Sequence, residues 1–142
     1  METEGHLERA GDRTRLRFTR LLRHAPEKVW RALTEPDQLA AWFPDTVVGE
    51  FVEGGALRFE LRSEGRDTVL TFTDTFDELG KAARDGAGWH VCLDRLGFGL
   101  DDTASPADPV AYWRSVHPGY VERFGPEASA IGPPEGHAVN QA

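Results

Sequence analysis

The sequence predicts an α+β fold in which an antiparallel sheet packs on one long helix. Segments in the first half of the chain alternate between apolar and polar residues, as half-buried strands do. From Lys81 to about Leu100, apolar residues recur at helical spacing instead. This stripe consists of Trp89, Leu93, Leu96 and Leu100. A helix with one apolar stripe needs a sheet beneath it, so the two patterns together predict a two-layer domain.

The first predicted strand is Thr14–Leu22, which places Leu16, Phe18 and Leu22 on one face. The polar residues before it, 1–12, are predicted to be a flexible leader. Residues 13–101 would then form the domain, and residues 102–124 a helical C-terminal extension. Residues 125–142 contain three prolines and are predicted to be a disordered tail.

Two short helices are predicted after the first strand. Pro26 suits the first turn of a helix, and Val29, Trp30 and Leu33 then fall on one face. Pro36 begins the second helix, whose inward residues are expected to be Leu39, Trp42 and Phe43.

The remaining elements follow from turn residues and alternation. Three more strands are predicted, at Thr46–Val52, Ala56–Arg62 and Thr68–Phe76, with glycine-containing turns between them. Beyond the long helix, Val110–His117 is predicted to be helical, and Pro118 is expected to break or kink it.

Composition excludes several classes of protein. The net charge is −8, from 24 acidic and 16 basic residues, which disfavours binding to nucleic acid. No apolar run has membrane-spanning length, and the N-terminus lacks the apolar core of a signal peptide. The single cysteine, Cys92, fits a reducing compartment, so a cytoplasmic location is expected. Five scattered histidines give no metal site, and no cofactor motif is present.

Two blocks of the sequence resemble the START-related, birch-pollen-allergen-like SRPBCC superfamily. The first, Ala25–Pro44, contains Pro-x-x-Val-Trp-x-x-Leu-x-x-Pro-x-x-Leu-x-x-Trp-Phe; the second is Leu70–Phe76 followed by Gly88–Leu96. The branch that they resemble most is similar to the activator of the heat-shock-90 ATPase. Tyr120–Ala128 is similar to C-terminal extensions of some bacterial members. The resemblance implies a helix-grip fold, with an apolar pocket between the sheet and the long helix.

One departure from that family concerns the number of strands. About a hairpin of the family's sheet is missing between the helical corner and the last strand, so about four strands are expected. A shortened sheet leaves an unpaired edge and a partly uncovered helix. We expect either a homodimer or a C-terminal segment that folds back, covering the exposed surface with Trp113, Tyr120 and Phe124.

The resemblance implies that aromatic side chains line a pocket for a hydrophobic or aromatic small molecule. The alternative is that they only fill the interior. The predicted ligand-binding residues are Trp30, Trp42, Phe43, Phe59, Phe72, Asp74, Phe76, Trp89, His90 and Leu93.

Three polar features accompany these aromatic residues. Asp74 shares a strand face with Phe72, Arg20 shares one with Phe18, and His90 and Asp94 are helical neighbours. In a functional interpretation, Asp74 or His90 serves as an acid or base. In the alternative, these residues have no chemical role: the side chains of Asp74 and Arg20 turn to solvent, and His90 and Asp94 form a surface pair. Relatives often carry histidine at the position of Asp74, which makes the aspartate a departure.

Three functions are therefore compatible with the sequence. The leading hypothesis is non-enzymatic binding of an apolar small molecule, and the second is a chaperone-associated interaction. The third is an enzyme of the cyclase or dehydratase type that uses His90 or Asp74. No nucleophile motif is present, and Cys92 is expected to be buried and inert.

Overall fold

The computed structural model describes residues 4–39, 42 and 57–132. Their sheet has four strands: β1 (His6–Ala10), β2 (Arg13–Leu22), β3 (Leu57–Glu64) and β4 (Asp67–Phe76). All neighbours are antiparallel, in the order β1-β2-β4-β3. The helices are α1 (Pro26–Thr34), α2 (Pro36–Leu39), α3 (Ala82–Leu100) and α4 (Pro109–Phe124). The predicted fold class, a sheet packed on one long helix, is confirmed.

The central strands β2 and β4 set which side chains enter the core. Phe18 pairs with Phe72 across them, and Leu16 pairs with Asp74. Because side chains alternate along a strand, this register sends Leu16, Phe18 and Phe72 to the buried face. Arginine and threonine side chains occupy the opposite face.

β1 corrects the prediction of a flexible leader over residues 1–12. His6–Ala10 pairs with β2 through a turn in which Gly11 has φ +68°, a conformation that glycine adopts at little cost. The strand has little apolar patterning, and its Glu8 lies within ion-pair distance of Arg15 and Arg17 of β2. β1 is therefore ordered by its pairing with β2, and the residue pattern within residues 1–12 does not reveal that pairing.

The two helices of the corner form as predicted, while the inward orientation of Leu39 and Phe43 falls on side chains that the structure does not describe. Val29 is fully buried, and Trp42 is fixed by a 2.8 Å hydrogen bond from its indole N–H to the Ala32 carbonyl. Trp30, predicted to face inward, is instead 57% exposed. In a helix this short the apolar face is narrow, and Val29 and Ala32 occupy it.

The helix α3 confirms the predicted long helix and its stripe. Leu93, Leu96 and Leu100 are buried, and Trp89 is partly buried against the same core. Gly86 serves packing: a Cβ there would lie 3.2 Å from the Tyr120 ring. The glycine lets α4 approach α3 closely.

The C-terminal segment folds back on the domain as a helix, as expected. Trp113 and Tyr120 of α4 are buried in the core beside α3. Pro118 does not break the helix, which continues to Phe124. The buried aromatics on either side of Pro118 hold both halves against α3, which offsets the cost of a proline inside a helix.

The predicted disordered tail is wrong where the structure describes it. Glu127–Ser129 forms a single 3-10 turn, Ala128 is buried, and the Ile131 amide donates to the Gly80 carbonyl at 3.0 Å. This backbone contact with the start of α3 orders a segment whose composition predicts disorder. Residues 133–142 lie outside the described residues.

The predicted strand Thr46–Val52 also lies outside the described residues, as does Phe43. Within the described ranges, no helix has the length and apolar character needed to cross a membrane.

Candidate functional site

An aromatic row crosses the inner face of the sheet from the helical corner to α3. Trp42, Phe59, Phe72 and Trp89 form this row. The ring centroids lie 6.0 Å apart for Trp42–Phe59, 4.8 Å for Phe59–Phe72 and 4.7 Å for Phe72–Trp89. All three pairs are tilted or edge-on, the arrangements that aromatic quadrupoles favour. Phe72 is fully buried, whereas Phe59 and Trp89 are only partly buried.

Asp74 lies beside the aromatic row, on the same face of β4. It stands between Leu16 of β2 and Leu57 of β3, and it is 7% exposed. The indole N–H of Trp89 donates to its Oδ2 at 3.1 Å. Among the described residues, its Oδ1 has no hydrogen-bond donor and its carboxyl group no ion-pair partner. The alternative that Asp74 turns to solvent is wrong, because β4 continues to Phe76 and Asp74 is not at the end of the strand.

The environment of Asp74 favours its neutral form. Burial raises its pKa to about 6, although the hydrogen bond from Trp89 acts in the opposite direction. The charges of Lys81 and Arg13 also favour ionisation, but neither forms an ion pair with Asp74; they pair with Asp85 and Asp77. The carboxyl group can therefore be present in either protonation state near neutral pH.

A polar network occupies the other side of α3, facing α4. It contains Gly5, Arg20, His90, Asp94, Tyr112 and Tyr120. The Arg20 guanidinium donates to Asp94 Oδ1 at 2.7 Å, and the Tyr112 hydroxyl donates to Oδ2. Arg20 is 7% exposed, so the alternative that it turns to solvent is wrong. Its guanidinium lies inside because Asp94 supplies the opposite charge.

The network continues through His90. Its Nε2 lies 3.4 Å from Asp94 Oδ2, and its Nδ1 lies 2.8 Å from the Tyr120 hydroxyl. The Gly5 amide donates to that hydroxyl at 2.7 Å. All contacts are satisfied when the Tyr120 O–H donates to Nδ1 and the Nε2–H donates to Asp94. The predicted His90–Asp94 neighbour pair is confirmed, but it is part of a partly buried network rather than a surface pair.

The network keeps Asp94 ionised and its tyrosines neutral. Burial alone would raise the pKa of Asp94, but hydrogen bonds from His90 and Tyr112, together with the Arg20 charge, lower it below its usual value. Burial and the Asp94 carboxylate raise the pKa of Tyr112 to about 12. Tyr112 therefore stays a hydrogen-bond donor across the physiological range.

The two candidate acid/base groups are not brought together. Asp74 bonds to Trp89, whereas His90 bonds to Tyr120 and Asp94, and no hydrogen bond or ion pair joins Asp74 to His90 in the described structure. Cys92 is buried, and burial raises the pKa of its thiol to about 12, so its thiolate is not available near neutral pH. No group of metal-ligating side chains occurs within the described ranges.

A groove of about 390 Å³ runs between the end of β2 and the last turns of α3. Arg20, Arg23, Asp94 and Asp101 line it together with apolar residues and Gly97. These four side chains are already paired, Arg20 with Asp94, Arg23 with Asp67 and Asp101 with His24. Because its charged side chains are already paired, this groove is a weaker candidate for ligand binding than the aromatic row.

Of the predicted site residues, Phe43 lies outside the described residues, and the other nine divide into three groups. Those on the inner face around the aromatic row are Trp42, Phe59, Phe72, Asp74, Phe76, Trp89 and Leu93. Trp30 is exposed on α1, and His90 belongs to the polar network. The membership of Tyr112 and Tyr120 in the polar network was not predicted from the sequence. Their spacing on α4, which puts them on one face two turns apart, was the available signal.

Comparison with solved structures supports the fold. A conserved protein of unknown function, EF2215 from Enterococcus faecalis, aligns with a TM-score of 0.65 and 20% identity, over 84% of this chain and 90% of its own. CalU16 from Micromonospora echinospora aligns in its crystal structure with a TM-score of 0.62 and 19% identity, over 85% and 94% of the two chains. The solution structure of CalU16 aligns with a TM-score of 0.64 and 17% identity, over 89% of this chain and 92% of its own.

Similarity at these identities shows the shared fold alone. No curated protein sequence matches the chain. The family model described as Activator of Hsp90 ATPase homolog 1-like protein matches residues 23–84, which span α1, α2, β3, β4 and the start of α3. The resemblance inferred from the sequence is thereby confirmed: over residues 23–84 this chain matches the Activator of Hsp90 ATPase homolog 1-like family.

Proposed function

We propose that this protein binds an apolar or aromatic small molecule between the inner face of its sheet and α3, without transforming it. The observation that carries the proposal is the aromatic row, in which four rings from the helical corner, β3, β4 and α3 are in continuous contact. Aromatic and aliphatic walls with a few polar groups are typical of small-molecule sites.

The β3 side of the row is the proposed entrance. Leu57, Phe59 and Leu61 all point inward, but each is only partly buried. Deeper in the site, Phe76 and Leu93 are buried and form its floor. A ligand that covers the partly buried side chains would gain about 25 cal/mol for each Å² of apolar surface removed from water.

Binding without catalysis is proposed because the candidate acid/base groups have separate partners. Both ring nitrogens of His90 are used in the polar network, and Trp89 bonds to Asp74. Neither group is paired with the other as a general acid and base would be. We therefore omit His90 and the exposed Trp30 from the proposed binding site.

The test is a titration with the neutral, apolar fluorophore N-phenyl-1-naphthylamine. We expect saturable binding with a Kd in the micromolar range, which corresponds to about −8 kcal/mol. Phe59→Ala removes a ring from the centre of the row without opening the deepest core, and it should weaken binding at least several-fold. Trp30→Ala is the matched control, because it removes an aromatic side chain outside the row.

The proposal fails if the folded protein shows no saturable uptake of the fluorophore. It also fails if Trp30→Ala weakens binding as much as Phe59→Ala does. Circular dichroism of each variant establishes that it is folded before the comparison is made.

A second candidate function is interaction with an Hsp90-type chaperone. It is supported by the description of the matching family and by Trp30, which is 57% exposed on α1 inside the matched segment. Exposed tryptophan is enriched at the centres of protein interfaces. In this case the protein should change the ATPase rate of a purified Hsp90, and Trp30→Ala should abolish the change while leaving fluorophore binding intact. An unchanged ATPase rate with the native protein would argue against this function.

A further inference from the structure

Among the residues that the structure describes, Asp74 on the inner face of the sheet forms no ion pair with a positively charged side chain. Asp74 accepts one hydrogen bond, from Trp89, and its second oxygen has no donor among the residues that the structure describes. The nearest cations that act on it are engaged elsewhere, Lys81 with Asp85 and Arg13 with Asp77. Burial disfavours the charged form of this carboxyl group, and one hydrogen bond offsets that cost only in part, so a bound cation would stabilise the carboxylate.

The surroundings of Asp74 suit a cation that carries an apolar body. Phe72, two residues before it on the same face, contacts Trp89 with ring centroids 4.7 Å apart. Aromatic faces attract cations within about 6 Å of the ring centroid. The chain already provides an example, since the Lys81 ammonium lies 5.0 Å from the centre of the Phe76 ring on the same strand face.

Access to Asp74 is provided by the rim of the site. Leu57, which pairs opposite Asp74 on β3, is partly buried, as is Trp89. A ligand that lies along the aromatic row from Phe59 would place one end beside Asp74.

We infer that the ligand of the proposed site is an amine or quaternary ammonium compound with an aromatic or apolar body, whose cationic nitrogen pairs with Asp74 against Trp89 and Phe72. This inference rests on the proposed binding function and specifies its ligand class. The aromatic row holds the body of the ligand, and Asp74 selects for its charge.

The test uses three compounds with nearly the same naphthalene body. They are 1-naphthylmethylamine, which is a cation near neutral pH, 1-naphthalenemethanol, which is neutral, and 1-naphthoate, which is an anion. At pH 7.5 we expect the amine to bind about tenfold more tightly than the alcohol, a ratio equivalent to about 1.4 kcal/mol. The carboxylate should bind most weakly.

Two variants assign the preference to one residue. Asp74→Asn keeps the shape and the acceptor for Trp89, and it should reduce the amine-to-alcohol ratio to about one. Asp67→Asn removes the same charge from the other end of β4, where Asp67 pairs with Arg23, and it should leave the ratio near its native value. Lowering the pH to 5 protonates Asp74, so it should reduce the amine-to-alcohol ratio of the native protein as Asp74→Asn does.

The outcomes separate this inference from the proposed function. Equal binding of amine and alcohol by the native protein would overturn the cation preference and leave the binding function standing. An amine preference that survives Asp74→Asn would overturn the assignment to Asp74. Absence of binding by all three compounds and by N-phenyl-1-naphthylamine would overturn both the function and the ligand class.

Discussion

Asp94 belongs to α3 and Asp74 contacts α3 through Trp89, and the environments of these two carboxyl groups are opposite. Asp94 faces α4 and is contacted by Arg20, Tyr112 and His90. Asp74 lies on the inner face of β4, opposite Leu57 of β3, and receives one hydrogen bond, from Trp89 of α3. Burial affects both groups, yet the pKa of Asp94 is lowered and that of Asp74 is raised to about 6.

The difference shows how the two sides of α3 are used. On the α4 side the chain supplies a partner for the buried carboxylate, so the polar network joins β2, α3 and α4 into one unit. On the β3 side the chain supplies aromatic rings, and one oxygen of Asp74 has no donor among the described residues. A structural role explains the first arrangement, whereas the second is costly to the fold and is consistent with a binding role.

The largest effect is expected when α4, which covers the Asp94 side of α3, is deleted. Truncation after Asp102 deletes Trp113 and Tyr120, both fully buried. Burial of each large aromatic contributes roughly 1.5–3 kcal/mol, so the loss should be about 3–6 kcal/mol. Urea denaturation measures it, and a truncated protein with the same midpoint and slope as the full chain would show that α4 covers nothing.

Removal of Asp94 tests the polar network alone. Asp94→Ala leaves the Arg20 guanidinium buried without its counter-charge, which should cost about 3–5 kcal/mol in the free energy of unfolding. The double substitution Arg20→Met with Asp94→Leu should recover much of that loss, because it replaces the ion pair by apolar side chains of similar size. If the double variant is as unstable as Asp94→Ala, the loss does not arise from the unpaired charge.

Asp74→Asn tests the opposite side and should stabilise the protein. The folded-state pKa of about 6 exceeds the ordinary value of 3.8, so the native state binds the proton more tightly than the unfolded state. The contribution of Asp74 to native stability should therefore be fully present below about pH 4 and should be lost as the pH rises through 6. A shift of about two pKa units corresponds to about 3 kcal/mol, which Asp74→Asn should restore at pH 7.5.

The measurement for Asp74 is a series of urea denaturation curves from pH 4 to pH 8. The native protein should lose stability over this range relative to Asp74→Asn, and the two should converge at the acidic end. A constant difference at every pH would mean that ionisation of Asp74 is not its cause.

Tyr120→Phe makes the smallest change. It keeps the buried ring and removes the hydroxyl that accepts from the Gly5 amide and contacts His90. Two buried polar groups lose a partner, so stability should fall by about 1–2 kcal/mol. Ser115→Ala, on an exposed part of the same helix, is the control and should change stability by less than about 0.5 kcal/mol. Thermal melts measure both variants. If Tyr120→Phe and Ser115→Ala lower the melting temperature equally, the hydrogen bonds of the Tyr120 hydroxyl do not stabilise the protein.

The sequence predicts the parts of this fold that depend on local patterning. Alternation locates β2 and β4, and the leucine stripe locates α3, because one face of each element is buried along its whole length. β1 and the turn at Glu127–Ser129 have no such pattern. They are ordered by partners far away in sequence, which single-segment reasoning cannot identify.

The site was predictable to a similar extent. Burial of Phe72 and Phe76 follows from alternation, and the same alternation puts Asp74 among them. The exposure of Trp30 does not follow, because Val29 and Trp30 are neighbours on a short helix and only contact with the core decides which one is covered. The polar network joins four segments, and sequence spacing relates only the members that share a helix, His90 with Asp94 and Tyr112 with Tyr120.

The hydrogen bond between Gly5 and Tyr120 joins residues 115 positions apart. During synthesis the ribosome releases β1 early, yet the hydroxyl that holds the start of this strand emerges only when α4 is complete. Until then the Gly5 amide lacks its partner and the His90 side of α3 is open to water. Docking of α4 is thus a late event in folding, and before it a nascent chain presents the apolar surface that Trp113 and Tyr120 later cover. Mutations in α4 should therefore lower the yield of folded protein in cells more than they lower the equilibrium stability of protein that has already folded.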